Sequence, residues 1–166
     1  MAASLFVSAT RAAAAELKPG DPAPAFTART DQDRTFDLQE RKGKWTVLYF
    51  YPKSGTPGCT KQACAFRDDM EAIRKLGAEV FGLSRDSVQS QRKFSLKHKL
   101  PFTLLADPEG KVINAYGTAG LLGYSKRWTF IVGPDLSIRW MRKDVDPVLD
   151  AQEVAGALRG FQKQGA

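Results

Sequence analysis

Trp45-Thr-Val-Leu-Tyr-Phe-Tyr51, then Pro52-Lys-Ser-Gly-Thr-Pro-Gly58, then Cys59-Thr-Lys-Gln-Ala-Cys64 contains the change of period on which the fold turns. The first seven residues form a near-continuous run of β-branched and aromatic side chains, which predicts a central strand buried on both faces. Pro52 lacks a backbone donor and ends it. From Cys59 the apolar positions are Cys59, Ala63, Phe66, Met70 and Ile73. Spacings of four and three place them on one face of a helix. Gly77 is positioned to cap that helix. Glu79–Ser84 then reads as a second buried strand, so strand, helix and strand form a crossover unit, for which the right-handed form is expected.

Further along the chain, the pattern predicts a helix from about Val88 to Lys99 and a short strand at Phe102–Leu105. Trp128–Val132 and Ser137–Met141 flank Gly133-Pro-Asp135 and read as a hairpin. A last helix covers about Leu149–Gln162. Toward the N-terminus, Lys18–Pro24 is proline-rich and reads as an extended arm. Short extended pieces are expected at Phe26–Arg29 and Thr35–Leu38. Strands alternating with helices imply an α/β sandwich. In such sheets, reactive groups gather beyond the carboxyl ends of the strands, where Cys59 falls.

The chain has 166 residues, the size of one domain. We place that domain at 17–166, behind an N-terminal extension at 1–16. Ala2–Ala15 is alanine-rich and resembles the tail of a secretory signal, but it lacks a basic start and a full apolar core. It reads either as a clipped signal peptide or as a simple extension. No run of 18 apolar residues exists, so no membrane span is expected.

The net charge is +7. The cations are scattered from Lys18 to Lys163. Their densest set, Arg92, Lys93, Lys97, His98 and Lys99, lies on one helix with little aromatic interleaving. That is the pattern of a solvated basic face, not of a nucleic-acid groove. The charge excess can still attract an acidic protein partner or an anionic substrate. Two cysteines and one histidine are too few for a disulfide scaffold or a four-ligand zinc site. Any cysteine chemistry is therefore redox or nucleophilic, with no metal expected.

The residues around Cys59 fit such chemistry. Thr56 suits a helix N-cap and Pro57 the first helical position. Cys59 then lies in the first turn, where free N–H groups and the helix dipole favour an anion. Gly58 permits close approach of a ligand to the backbone. The Thr56 hydroxyl is available to donate to the thiolate or to a bound oxygen. Cys59 also heads the apolar stripe, and desolvation opposes a thiolate. A nearby cation is needed, and Arg127, at the start of a strand, is the best candidate.

Cys64 lies about 140° around the helix from Cys59 and roughly 8–9 Å away between Cα atoms. Its neighbours on that flank are Lys61, Asp68, Glu71 and Lys75. A disulfide needs less than about 7 Å. If the two cysteines pair, the first turns of the helix must unwind. Two buried, inert cysteines are the alternative at this point.

Tyr49-Phe-Tyr-Pro-Lys-Ser-Gly-Thr-Pro-Gly-Cys-Thr-Lys-Gln-Ala-Cys-Ala-Phe-Arg-Asp68 closely resembles the active-site segment of the peroxiredoxins. The subgroup is that of bacterioferritin comigratory protein, or peroxiredoxin Q, and the resemblance runs from about Leu17 to Phe161. It implies a thioredoxin-like fold, a central mixed sheet flanked by helices. It also implies a thiol-dependent peroxidase acting on hydrogen peroxide and organic hydroperoxides.

The motif Pro-x-x-x-Thr-x-x-Cys maps onto Pro52, Thr56 and Cys59, which by resemblance shield the thiol, bind the peroxide and attack it. The family arginine maps onto Arg127 and the resolving cysteine onto Cys64. The implied reductant is thioredoxin or a similar dithiol protein. A monomer without metal or organic cofactor is implied, binding neither nucleic acid nor membrane.

The resemblance implies a cytoplasmic location, or a periplasmic one if the leader is an export signal. Trp128 departs from the usual small residue, and we expect it to narrow or reshape the peroxide approach. Two other readings stand beside this one. A thiol–disulfide oxidoreductase on this fold would carry a C-x-x-C pair, which is absent. A basic binding module would not need Cys59.

Overall fold

The apolar run at 45–51 becomes the middle of a mixed sheet in the computed structural model, which describes residues 16–165. Ala2–Ala15, with the leader assigned to it, lies outside the described residues. The strands are β1 (Thr27–Thr30), β2 (Thr35–Asp37), β3 (Trp45–Phe50), β4 (Ala78–Ser84), β5 (Thr103–Ala106), β6 (Thr129–Val132) and β7 (Ile138–Arg142). Their order across the sheet is β2-β1-β5-β4-β3-β6-β7. β3, β4 and β5 run parallel, with Val47 beside Val80 and Leu83 beside Leu105. β6 is antiparallel to β3, and β7 forms the expected hairpin with β6.

The helices are α1 (Pro57–Lys75), α2 (Val88–His98), α3 (Lys111–Ala115) and α4 (Asp150–Gln164). Alternation along β3 divides the core in two. Val47, Tyr49 and Tyr51 face Cys59, Ala63, Phe66, Met70 and Ile73 of α1, and Ala151, Val154 and Leu158 of α4. Leu48 and Phe50 face the other way, toward Phe36, Ile113, Tyr116, Trp128 and Phe130. The side chains of a strand alternate between faces, so one central strand serves both layers.

The expected helical stripe is thus the buried stripe of α1. The helix ends at Leu76, and Gly77 follows with φ +79°, the left-handed conformation of a glycine C′ residue. Other boundaries move by one or two residues. α3 was not foreseen, because five residues are too few to show a period. It starts after Gly110, and Asp107 Oδ2 accepts from the Ile113 N–H at 2.9 Å. The basic residues Arg92, Lys93, Lys97 and Lys99 are exposed, as expected of a solvated face.

Candidate active site

Pro52, half-buried, begins the loop between β3 and α1. The loop is tied at both ends. Tyr51 Oη bonds Ser54 Oγ and donates to Gln91, and the Ser54 N–H donates to Asp86 Oδ2 at 2.9 Å. Thr56 is the N-cap, with extended backbone, and its carbonyl accepts the Thr60 N–H at 2.9 Å.

Its hydroxyl differs from the expectation. It neither caps the helix nor donates toward the thiol; it turns back and donates to the Lys53 carbonyl at 2.7 Å. Its proton is therefore committed and only its lone pairs remain free. Pro57 occupies the first helical position as expected. The N–H groups of Gly58 and Cys59 lie in the first turn, where no intrahelical acceptor exists.

Cys59 is 1% exposed, at the edge of the α1-side core. Nη1 and Nη2 of Arg127 each lie 3.6 Å from its Sγ. The cation foreseen at Arg127 is therefore on the sulfur. The β3–β6 pairing brings it there: Tyr49 lies opposite Thr129, so the residues leading into β6 pass the end of β3. Gly58 permits a close approach by Arg127. A Cβ at Gly58 would stand 3.1 Å from Nη2.

Trp128 corrects another expectation. Its ring is buried in the opposite core with Phe130, with the ammonium groups of Lys126 and Lys143 over it at 5.1 and 4.9 Å. It lies across the sheet from Cys59 and does not line the approach to it. Cys64 is half-buried on α1, and both cysteines are free thiols in an intact helix.

Two residues not singled out from the sequence complete the site. Arg127 Nη1 donates to Gln62 Oε1 at 2.7 Å, and Gln62 Nε2 donates to Asp150 Oδ2 at 2.7 Å. Thr129 Oγ1 donates to the same carboxylate oxygen at 2.7 Å. Gln62 and Asp150 are fully buried. Burial pushes the Asp150 carboxyl up to about 6, against the opposing hydrogen bonds from Thr129 and Gln62. Gln62 is a polar residue beside an apolar stripe, three positions after Cys59. That anomaly was the available signal. Asp150 gave none, because an acidic residue at a helix start ordinarily reads as a partner of the dipole.

A cysteine in the first turn of a helix, on a thioredoxin-like sheet and with a guanidinium against its sulfur, defines a thiol-based redox site. Among the described residues, no group of three or more His, Cys, Asp or Glu is arranged to hold a metal ion. The AhpC/TSA family model matches residues 19–141, and the chain belongs to that family, as a thiol-dependent peroxidase of the peroxiredoxin type.

A peroxiredoxin bcp from Coxiella burnetii is 48% identical over 151 residues, 86% of this chain and 99% of the relative. Plant proteins called peroxiredoxin Q are also similar, and the chain spans about half of their length. Among solved structures, the peroxidoxin BcpB of Mycobacterium tuberculosis superposes with a TM-score of 0.83 at 31% identity, over 88% of this chain and 99% of that one. The bacterioferritin comigratory protein of Xanthomonas campestris, described for alkyl peroxide reduction, gives 0.81 at 28%, over 87% and 99%.

Proposed function

We propose that the chain reduces hydrogen peroxide and organic hydroperoxides with Cys59 as the attacking thiol and Cys64 as the resolving one. The observation that carries this is the pair of Arg127 nitrogens, each 3.6 Å from the sulfur of a buried first-turn cysteine. The guanidinium stands beside the place where negative charge develops as the O–O bond breaks. The Cys59 thiolate attacks one peroxide oxygen, forming an S–O bond. The leaving oxygen departs with the O–O electron pair and takes up a proton, giving water or an alcohol, while Cys59 becomes a sulfenic acid.

Thr56, whose proton is held by the Lys53 carbonyl, accepts a hydrogen bond from the peroxide O–H. Pro52 limits water at the thiol. The Cys64 thiolate then attacks the Cys59 sulfur; hydroxide leaves and is protonated to water, and a disulfide remains. Thioredoxin or a similar dithiol protein reduces it by thiol–disulfide exchange. The Xanthomonas campestris relative supports the organic peroxide class.

This reading also takes residues 17–166 as the catalytic domain, working as a monomer in a compartment that supplies a dithiol, the cytoplasm by family resemblance. No described helix is long and apolar enough to cross a membrane.

Stopped-flow oxidation of the reduced protein by hydrogen peroxide and by an organic hydroperoxide, followed by intact mass, tests the assignment. Wild type should lose two hydrogens. Cys64→Ser should stop at the sulfenic acid or oxidise further, and Cys59→Ser should consume no peroxide. Turnover near wild type in Cys59→Ser would overturn the reading.

A further inference from the structure

Asp150 lies at the start of α4, 0% exposed, with both of its protein hydrogen bonds on Oδ2. Its Oδ1 is buried and has no partner among the described residues. The chain of contacts from this carboxylate to the reactive sulfur has one consistent polarity. Arginine only donates, and an ionised carboxylate only accepts. Gln62, between them, must therefore give its N–H to Asp150 and turn its oxygen to Arg127. If Asp150 could not accept, the Gln62 amide would be free to flip and would present a donor to a donor.

Resting on the reading of Cys59 as the attacking thiol, we propose that Asp150 is a positioning residue for the peroxide step. Through Gln62 it holds the Arg127 guanidinium against the Cys59 sulfur, and its ionisation sets how firmly. A charge-assisted hydrogen bond is about twice as strong as a neutral one. The ionised carboxylate therefore orients Gln62 more tightly than the carboxylic acid does.

The charged and titratable groups around it come from five segments of the chain. Arg127, just before β6, favours ionisation, and Glu153 on α4 itself opposes it. Glu153 is paired with Arg142 of β7 at 3.4 Å. Tyr49 of β3 is a buried phenol that senses both Asp150 and Cys59 of α1. Burial pushes the Asp150 carboxyl up to about 6.

The test is stopped-flow oxidation of the reduced full-length chain by hydrogen peroxide, from about pH 5 to about pH 8. Each rate constant is divided by the thiolate fraction, read from ultraviolet absorbance. In wild type the corrected rate should fall as pH drops through about 6. Asp150→Asn keeps an acceptor for Gln62 and Thr129 but does not titrate. Being uncharged, it should hold the corrected rate near the low-pH level of wild type at every pH, with no inflection. Asp150→Ala should be slower by roughly tenfold or more at every pH.

An inflection retained in Asp150→Asn overturns the proposal, as does a wild-type rate in folded Asp150→Ala. Should Asp150→Ala not fold, the Asp150→Asn profile decides. Cys59→Ser run alongside separates the two layers: residual turnover there sinks the thiol assignment, whereas a dead Cys59→Ser beside an unaffected Asp150 series sinks only the relay.

Discussion

Closing a disulfide between Cys59 and Cys64 should unwind the start of α1. The two residues are five apart in an intact helix, which sets their Cα atoms roughly 8–9 Å apart, beyond the roughly 7 Å limit for a bridge. Cys59 also points into the core, whereas Cys64 lies half-buried on another side of the helix. Release of residues 57–64 removes about one-sixth of the α-helical residues described. Far-ultraviolet circular dichroism should therefore lose about one-sixth of its helical signal on oxidation, and regain it with dithiothreitol. Amide hydrogen exchange localises the change. Amides from Thr60 to about Phe66 should exchange quickly in the disulfide form, while those from Met70 to Lys75, packed on the sheet, stay protected. A sample two hydrogens lighter by intact mass, with unchanged dichroism and unchanged exchange at 60–66, would refute the reasoning.

Three further expectations follow from the site. Arg127→Ala removes both nitrogens from the sulfur and should slow the peroxide step by roughly 10²–10³-fold in stopped-flow fluorescence; Arg127→Lys should recover only part, since one ammonium cannot serve both Cys59 and Gln62. Gly58→Ala places a methyl 3.1 Å from Nη2 and should slow oxidation severalfold while leaving the thermal unfolding midpoint within a few degrees of wild type. Asp150→Asn should stabilise the reduced protein at neutral pH. The folded-state value near 6 lies above the ordinary 3.8, so the stability contributed by Asp150 is full below about pH 4 and is lost as pH rises through about 6. That two-unit difference corresponds to about 3 kcal/mol, an upper figure for the gain of the Asn variant over wild type at pH 7, absent at pH 4, by urea denaturation. A gain independent of pH would contradict it.

The sequence made much of this site legible, through features that are local. The period of α1 can be read because Cys59, Ala63, Phe66, Met70 and Ile73 repeat over about four turns, and all five are buried. Pro57 announces the helix start by its covalent geometry alone. Arg127 was reached from a chemical need, a cation for a buried thiolate, but only the β3–β6 register places it on the sulfur. The direction of the Thr56 hydroxyl depends on where the Lys53 carbonyl falls, a property of the loop's shape. Trp128 was assigned to the wrong side because proximity in sequence to Arg127 was weighed above alternation. Phe130 and Val132 share its parity, and all three belong to the core opposite Cys59. Asp150 is buried only because α4 packs across the start of α1, a contact no local pattern encodes.

The relay and the disulfide compete for the same turns of helix. Gln62 lies between the two cysteines, so Cys64 cannot reach Cys59 without drawing Gln62 away from Asp150 and Arg127. Both bonds involve a charged partner, and each such bond contributes about 1.5–3 kcal/mol. The arrangement that readies the thiolate for peroxide therefore holds α1 closed against resolution. Oxidation changes the balance at one atom. Once the oxygen has been transferred, any negative charge resides on that oxygen and no longer on the sulfur, so the attraction between Arg127 and the Cys59 sulfur itself weakens. Asp150 and Gln62 then hold the helix without the full attraction that had reinforced them. The order of events, attack before opening, follows from which atom carries the charge. Opening should thus be rarer in the reduced protein than in Cys64→Ser trapped as the sulfenic acid, and hydrogen exchange at 60–63 compares the two directly. Equal protection in both would mean that the charge on sulfur has no part in keeping the helix shut.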